Sequence, residues 1–125
     1  MKQWTKEQLK NFSTADDMHV SPFYDDGKTY GTPTWIWSVV SNNKLYVRAY
    51  NGQKSRWYQS AMKQHAGKIK LAGQEYKVSF NNAAGNKNLD NQINEAYKNK
   101  YGDSPYCQPM LQSGPISATV EIEPK

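Results

Sequence analysis

One cysteine, Cys107, is all that the 125-residue chain contains, and a lone thiol excludes a disulfide framework. No window approaches the ~20 apolar residues needed to span a bilayer. None of signal-peptide length follows Met1-Lys2-Gln3-Trp4-Thr5 either, so the expected location is the cytoplasm, with no membrane partner. Blocks of like charge are also missing. The formal net charge is +5 and the isoelectric point about 9.2, but the cations are spread along the chain. That spacing argues against a basic tail or polybasic patch, so nucleic acid is not an expected partner. The surplus still favours anionic small ligands. Internal repeats and low-complexity tracts are lacking.

The chain has no Walker loop, no glycine-rich dinucleotide turn and no nucleophile elbow. His19, His65 and Cys107 stand apart without ligand spacing, so no metal is expected. His65 falls on a helical stripe and His19 in a strand, which makes packing roles the simplest for both. Cys107 lies between Tyr106 and Gln108 with no base near it in sequence. No catalytic side chain is identified.

The length suits one domain that buries roughly two-thirds of its unfolded surface without a metal or disulfide. Thr5 and Gln8 form a capping box, and Trp4 can staple onto Leu9, which predicts a helix over residues 6–12. A first strand is expected over 18–23, before the turn at Asp25-Asp26-Gly27. Residues 34–40 read Thr-Trp-Ile-Trp-Ser-Val-Val, apolar on both faces, and predict a central strand covered on two sides. Ser41-Asn42-Asn43 turns the chain into a strand in which Leu45, Val47 and Ala49 alternate with an aromatic and basic row, Tyr46, Arg48 and Tyr50. Ser55 can cap a helix with the stripe Trp57, Tyr58, Ala61, Met62 and His65, stopped by Gly67. A second hairpin turns at Ala72-Gly73-Gln74, and a polar linker spans 81–88. A helix carries Leu89, Ile93, Ala96, Tyr97 and Tyr101 up to Gly102, and a last strand alternates Ile116, Ala118, Val120 and Ile122 with polar residues. The expected fold is α+β, an antiparallel split β-barrel of about six strands with about three helices packed around it. Residues 1–14 form its N-terminal helix, and 15–123 the barrel with its inserted helices.

One segment has the composition of a phosphate cradle. In Tyr50-Asn51-Gly52-Gln53-Lys54-Ser55-Arg56-Trp57-Tyr58, two cations and a hydroxyl meet the start of a helix, whose free N–H groups attract anions. The same residues suit an ordinary Asn-Gly turn, a capped helix and solvated cations. Trp35, Trp37, Tyr46 and Tyr50 on adjoining strands offer faces on which a flat conjugated ring can stack; they suit barrel cover or a dimer interface equally.

The run Gly31-Thr32-Pro33-Thr34-Trp35, the strand Leu45-Tyr46-Val47-Arg48, then Asn51-Gly52 and Ser55-Arg56-Trp57-Tyr58, resembles the split-barrel flavin- and deazaflavin-binding superfamily. That group includes the pyridoxamine phosphate oxidases and small deazaflavin-dependent nitroreductases. With Ser104-Pro105-Tyr106 and the final strand, the chain is similar to a bacterial family of unassigned function placed near those reductases. The resemblance covers about residues 15–123. It implies FMN or a deazaflavin coenzyme, with Thr32 and Thr34 along the ring, Arg48, Asn51, Lys54, Ser55 and Arg56 near the phosphate, and Trp57 packing beneath. It also implies hydride or electron-pair transfer to a small substrate, and a homodimer. Asp25-Asp26-Gly27-Lys28 stands where deazaflavin reductases often carry Arg-x-Ser-Gly, and an acidic pair opposes an anionic ligand. The alternative is a non-catalytic module that binds another planar or anionic ligand, or only dimerises.

Overall fold

The computed structural model describes residues 3–125; Met1 and Lys2, on which the expectations for the start of the chain partly fall, lie outside them. In chain order the elements are α1 (Lys6–Thr14), β1 (His19–Pro22), β2 (Thr34–Trp35), β3 (Ser38–Ser41), β4 (Lys44–Arg48), a 3-10 turn (Gly52–Lys54), α2 (Arg56–Gln64), β5 (Ala66–Leu71), β6 (Gln74–Asn82), α3 (Lys87–Tyr101), α4 (Cys107–Met110), α5 (Ser113–Ser117) and β7 (Thr119–Pro124). The seven strands form one antiparallel sheet, ordered β2-β1-β5-β6-β7-β4-β3. It curls into a half-barrel that does not close. The fold is therefore α+β, with seven strands rather than about six and five described helices rather than about three.

The capping box on α1 is present in both directions, with Gln8 donating from its backbone to the Thr5 hydroxyl and Thr5 to the Gln8 side chain. Trp4 reaches past this cap. Its indole donates to the Ile122 carbonyl at 2.8 Å, and its ring meets Phe12 and Tyr76 edge-on.

The segment 34–40 is not one central strand. It breaks after Trp35 into β2 and β3, which are the two outermost strands of the sheet. Only Ile36 and Trp37 separate them, so the chain steps from one margin of the curled sheet to the other. The apolar character of both faces has a different cause from centrality. Ile36 and Val40 pack against the main core inside the curl, whereas Val39 and Trp37 belong to a second cluster under α3 with Tyr46, Ile93, Tyr97, Cys107 and Met110.

Two further boundaries differ. Helix α2 ends at His65 in the left-handed region (φ 56°) rather than at Gly67. Gly67 lies in β5, where an added Cβ would come within 2.5 Å of the Ser21 carbonyl and 2.6 Å of Pro22 Cα. The glycine serves the close approach of β1 and β5 instead of a helix stop. At the C-terminal end, Ile116 falls in α5 and the strand starts only at Thr119, because Pro115 and the 2.6 Å bond from the Ser117 hydroxyl to the Gly114 carbonyl complete a short helical turn first. Ala118, Val120 and Ile122 then bury one face as the alternation requires.

Candidate ligand pocket

Arg48 ends β4 on the row that faces away from the barrel core. In the structure that row is roofed by α3, and Arg48 is the largest fully buried side chain of the described residues. Its Nε donates to Thr119 Oγ1 on β7, Nη1 to Asn94 Oδ1 and the Met110 carbonyl, and Nη2 to the Asp90 carbonyl at 3.1 Å. The guanidinium also lies over the Tyr97 ring, 5.4 Å from its centre. Asp90, Asn94 and Tyr97 recur at intervals of three and four residues and so share one face of α3. The cation thus ties α3, α4 and β7 to β4. Burial lowers its pKa, opposed by Tyr97 and Asp90, and a guanidinium so placed remains charged at neutral pH. Among the described residues no carboxylate comes within ion-pair distance of it and its four acceptors are neutral; the Asp90 carboxylate, one oxygen of which is buried without a hydrogen-bond partner, acts on it at longer range.

Beside Arg48 opens a pocket of about 530 Å³ walled by Trp35, Trp37, Tyr50, Tyr106, Ile36 and Met110, with Ser104 at its margin. That size lies within the range of small-molecule sites, ~300–1,000 Å³. The walls are braced. The Trp35 indole donates to the Asp16 carbonyl at 2.8 Å while the ring stays 58% exposed. Trp37 stacks on Tyr101 with ring centres 4.1 Å apart and planes 2° from parallel. Tyr50 and Tyr106 meet edge-on at 6.4 Å. Flat aromatic faces round an apolar cleft suit stacking on a planar conjugated ring.

The residues proposed from sequence do not all gather here. Arg48 lines this pocket. Arg56 lines another groove together with Tyr24, Asp25, Asp26, Gln59, Ser60 and Lys63, where Lys63 pairs with Asp25 at 3.1 Å. Thr32 is exposed and bound to Tyr24, whose hydroxyl accepts from the Thr32 amide; that pairing lowers the Tyr24 pKa. Thr34 is exposed on β2. Asn51 and Lys54 are exposed at the 3-10 turn. Ser55 precedes α2 without a side-chain capping bond, so its hydroxyl does not engage the helix amides. Trp57 is buried in the main core. Of the four aromatics singled out for stacking, Trp35, Trp37 and Tyr50 meet in the pocket. Tyr46 is buried under α3, where burial and then Glu121 raise its pKa.

Sequence reasoning missed Tyr106, Ser104 and Met110 as pocket residues. The signal was faint: a tyrosine in a short polar, proline-containing loop, 61% exposed in the structure. Cys107 beside it is buried, and its thiol, pushed up in pKa chiefly by burial, faces the Tyr97 carbonyl at 3.6 Å. His19 and His65 each set a ring nitrogen against a backbone carbonyl. No helix among the described residues is long and apolar enough to cross a membrane.

Fold and pocket together define a small α+β domain in which a curled antiparallel sheet carries an aromatic cleft beside a buried arginine. The chain belongs to the family described as "Uncharacterized protein conserved in bacteria (DUF2255)", whose model matches residues 8–122. No curated protein and no solved structure matches the chain significantly.

Proposed function

We propose that the protein binds a planar conjugated ligand in the aromatic pocket, with a flavin or deazaflavin coenzyme as the ligand class that its resemblance to the split-barrel superfamily implies. The observation that carries this reading is the convergence of Trp35, Trp37, Tyr50 and Tyr106 around one cleft next to Arg48. When bound, such a ring supplies hydride or electron-pair transfer to a small substrate, and the protein supplies orientation and charge. Trp35 and Tyr106 offer the stacking faces. Ser55, Lys54 and Arg56 are the candidates for a phosphate tail outside the cleft, and Asp25 and Asp26, in the same groove as Arg56, oppose that hold.

A second reading is a binding module without chemistry of its own. Among the described residues the pocket lining contains no carboxylate, histidine or cysteine, which favours it. In either case the exposed Trp35 and Tyr106 are candidates for a two-fold homodimer interface. Titration of the purified protein with FMN and with a deazaflavin coenzyme, followed by quenching of ligand fluorescence, tests the proposal. Saturable binding of either that Trp35→Ala weakens supports it; absence of binding by both at 100-micromolar order concentrations overturns the cofactor reading.

A further inference from the structure

The pocket has a feature beyond its shape: among the described residues its lining carries a single cation and no anion. Arg48 is buried with four neutral acceptors, and no carboxylate of the described residues lies within ion-pair distance. Asp90, whose carboxylate acts on it at longer range, meets it only through the backbone carbonyl. A buried positive charge whose balancing carboxylate, Asp90, stays beyond ion-pair distance projects part of its field into the nearest cavity. Here that cavity has aromatic walls, which suit a flat ring.

We infer that the part of the ligand entering this pocket is a flat ring bearing one delocalised negative charge, as in an aromatic carboxylate, and that Arg48 sets this charge preference. The inference rests on the reading of the cleft as a planar-ligand site. One cation matches one negative charge. A phosphate dianion would bring two charges against one cation among Trp35, Trp37, Tyr50 and Met110, and a neutral ring would leave Arg48 balanced only at longer range by Asp90. The groove that holds Arg56 and Lys63 differs in carrying Asp25 and Asp26 and no tryptophan.

Isothermal titration of the unmodified protein at low salt with 2-naphthoate, its neutral isostere 2-naphthamide, and 2-naphthyl phosphate tests this without altering Arg48. The carboxylate should bind about tenfold more tightly than the amide, the scale of one unit charge attracted across the pocket wall, and more tightly than the phosphate. Trp35→Ala, at an exposed position on a two-residue edge strand, should weaken all three. Equal affinity for carboxylate and amide, or tightest binding of the phosphate, overturns the charge preference; if Trp35→Ala still weakens binding, the planar-ligand reading stands alone. Failure of all three to bind, or indifference to Trp35→Ala, overturns both.

Discussion

Arg48 occupies a position that strand alternation assigns to the outer face, and burial there turns a surface-type residue into a structural hub. Its four hydrogen bonds reach groups on α3, α4 and β7. Arg48→Ala leaves the Asn94 amide oxygen and the Met110 carbonyl without this donor and opens a void beneath α3. The expected loss is about 3–5 kcal/mol of unfolding free energy, read from urea denaturation by circular dichroism; a loss under ~1 kcal/mol contradicts the hub role. Lys100 shows the same principle from the other side. Its ammonium, on α3, donates to the Phe12 carbonyl at 3.0 Å in the last turn of α1, which has no basic residue of its own, and to the Ser38 carbonyl at 2.7 Å. Burial lowers its pKa to about 8, with Asp16 and Asp17 opposing the shift.

At the scale of elements, two contacts set how the strands meet. Gly67 lets β5 approach β1 more closely than any side chain permits. Gly67→Ala must push the Ser21 and Pro22 backbone aside, with an expected cost of about 1–3 kcal/mol in the same denaturation experiment; a neutral result shows that the two strands can part freely. The turn between β5 and β6 places Ala72 and Gly73 both at positive φ, 53° and 78°, the geometry that Asn-Gly favours in a two-residue hairpin. The Asp17 carboxylate accepts from both of their amides, at 2.9 and 3.3 Å, and so holds an alanine in a region it disfavours. Ala72→Asn should relieve that strain and raise stability by about 0.5–1 kcal/mol. A lower melting temperature for the variant runs against this account.

For the whole molecule, the titration of α3 gives stability a maximum in mild alkali. A lysine depressed to about 8 binds its proton less readily folded than unfolded, so its contribution is lost as pH falls through 8 and is recovered toward 10.5. Tyr97 and Tyr101 act oppositely. Burial raises both, Tyr101 to about 12, so the folded state keeps their protons longer and stability falls as pH rises above 10. Unfolding free energy measured by urea from pH 7 to 11 should climb and then drop, and Lys100→Met should flatten the climb while leaving the drop. A climb of equal slope in the variant assigns it to other groups.

Much of this architecture was legible as periodicity. The α1 capping box, the stripe of α3 and the alternation of β4, β6 and β7 are local patterns, because a helix or a half-buried strand repeats its environment every few residues. The aromatic row Trp35, Trp37 and Tyr50 was visible in the same way. What local pattern does not carry is which residues distant in sequence come to share a surface. Two apolar faces on 34–40 read as a central strand, yet they arise because the chain crosses from one sheet margin to the other and touches a different core on each side. Arg48 and Arg56, eight positions apart, looked like partners in one cradle. The end of β4 sends one beneath α3, and the start of α2 sends the other into a separate groove of mixed charge. Tyr106 joined the pocket only through the path of the loop after α3. The sequence alone therefore determined the elements and the stock of aromatic and cationic side chains; the tertiary structure decided which cation stands beside the aromatics, because that depends on the curl of the sheet and the docking of α3, long-range events with no local repeat to announce them.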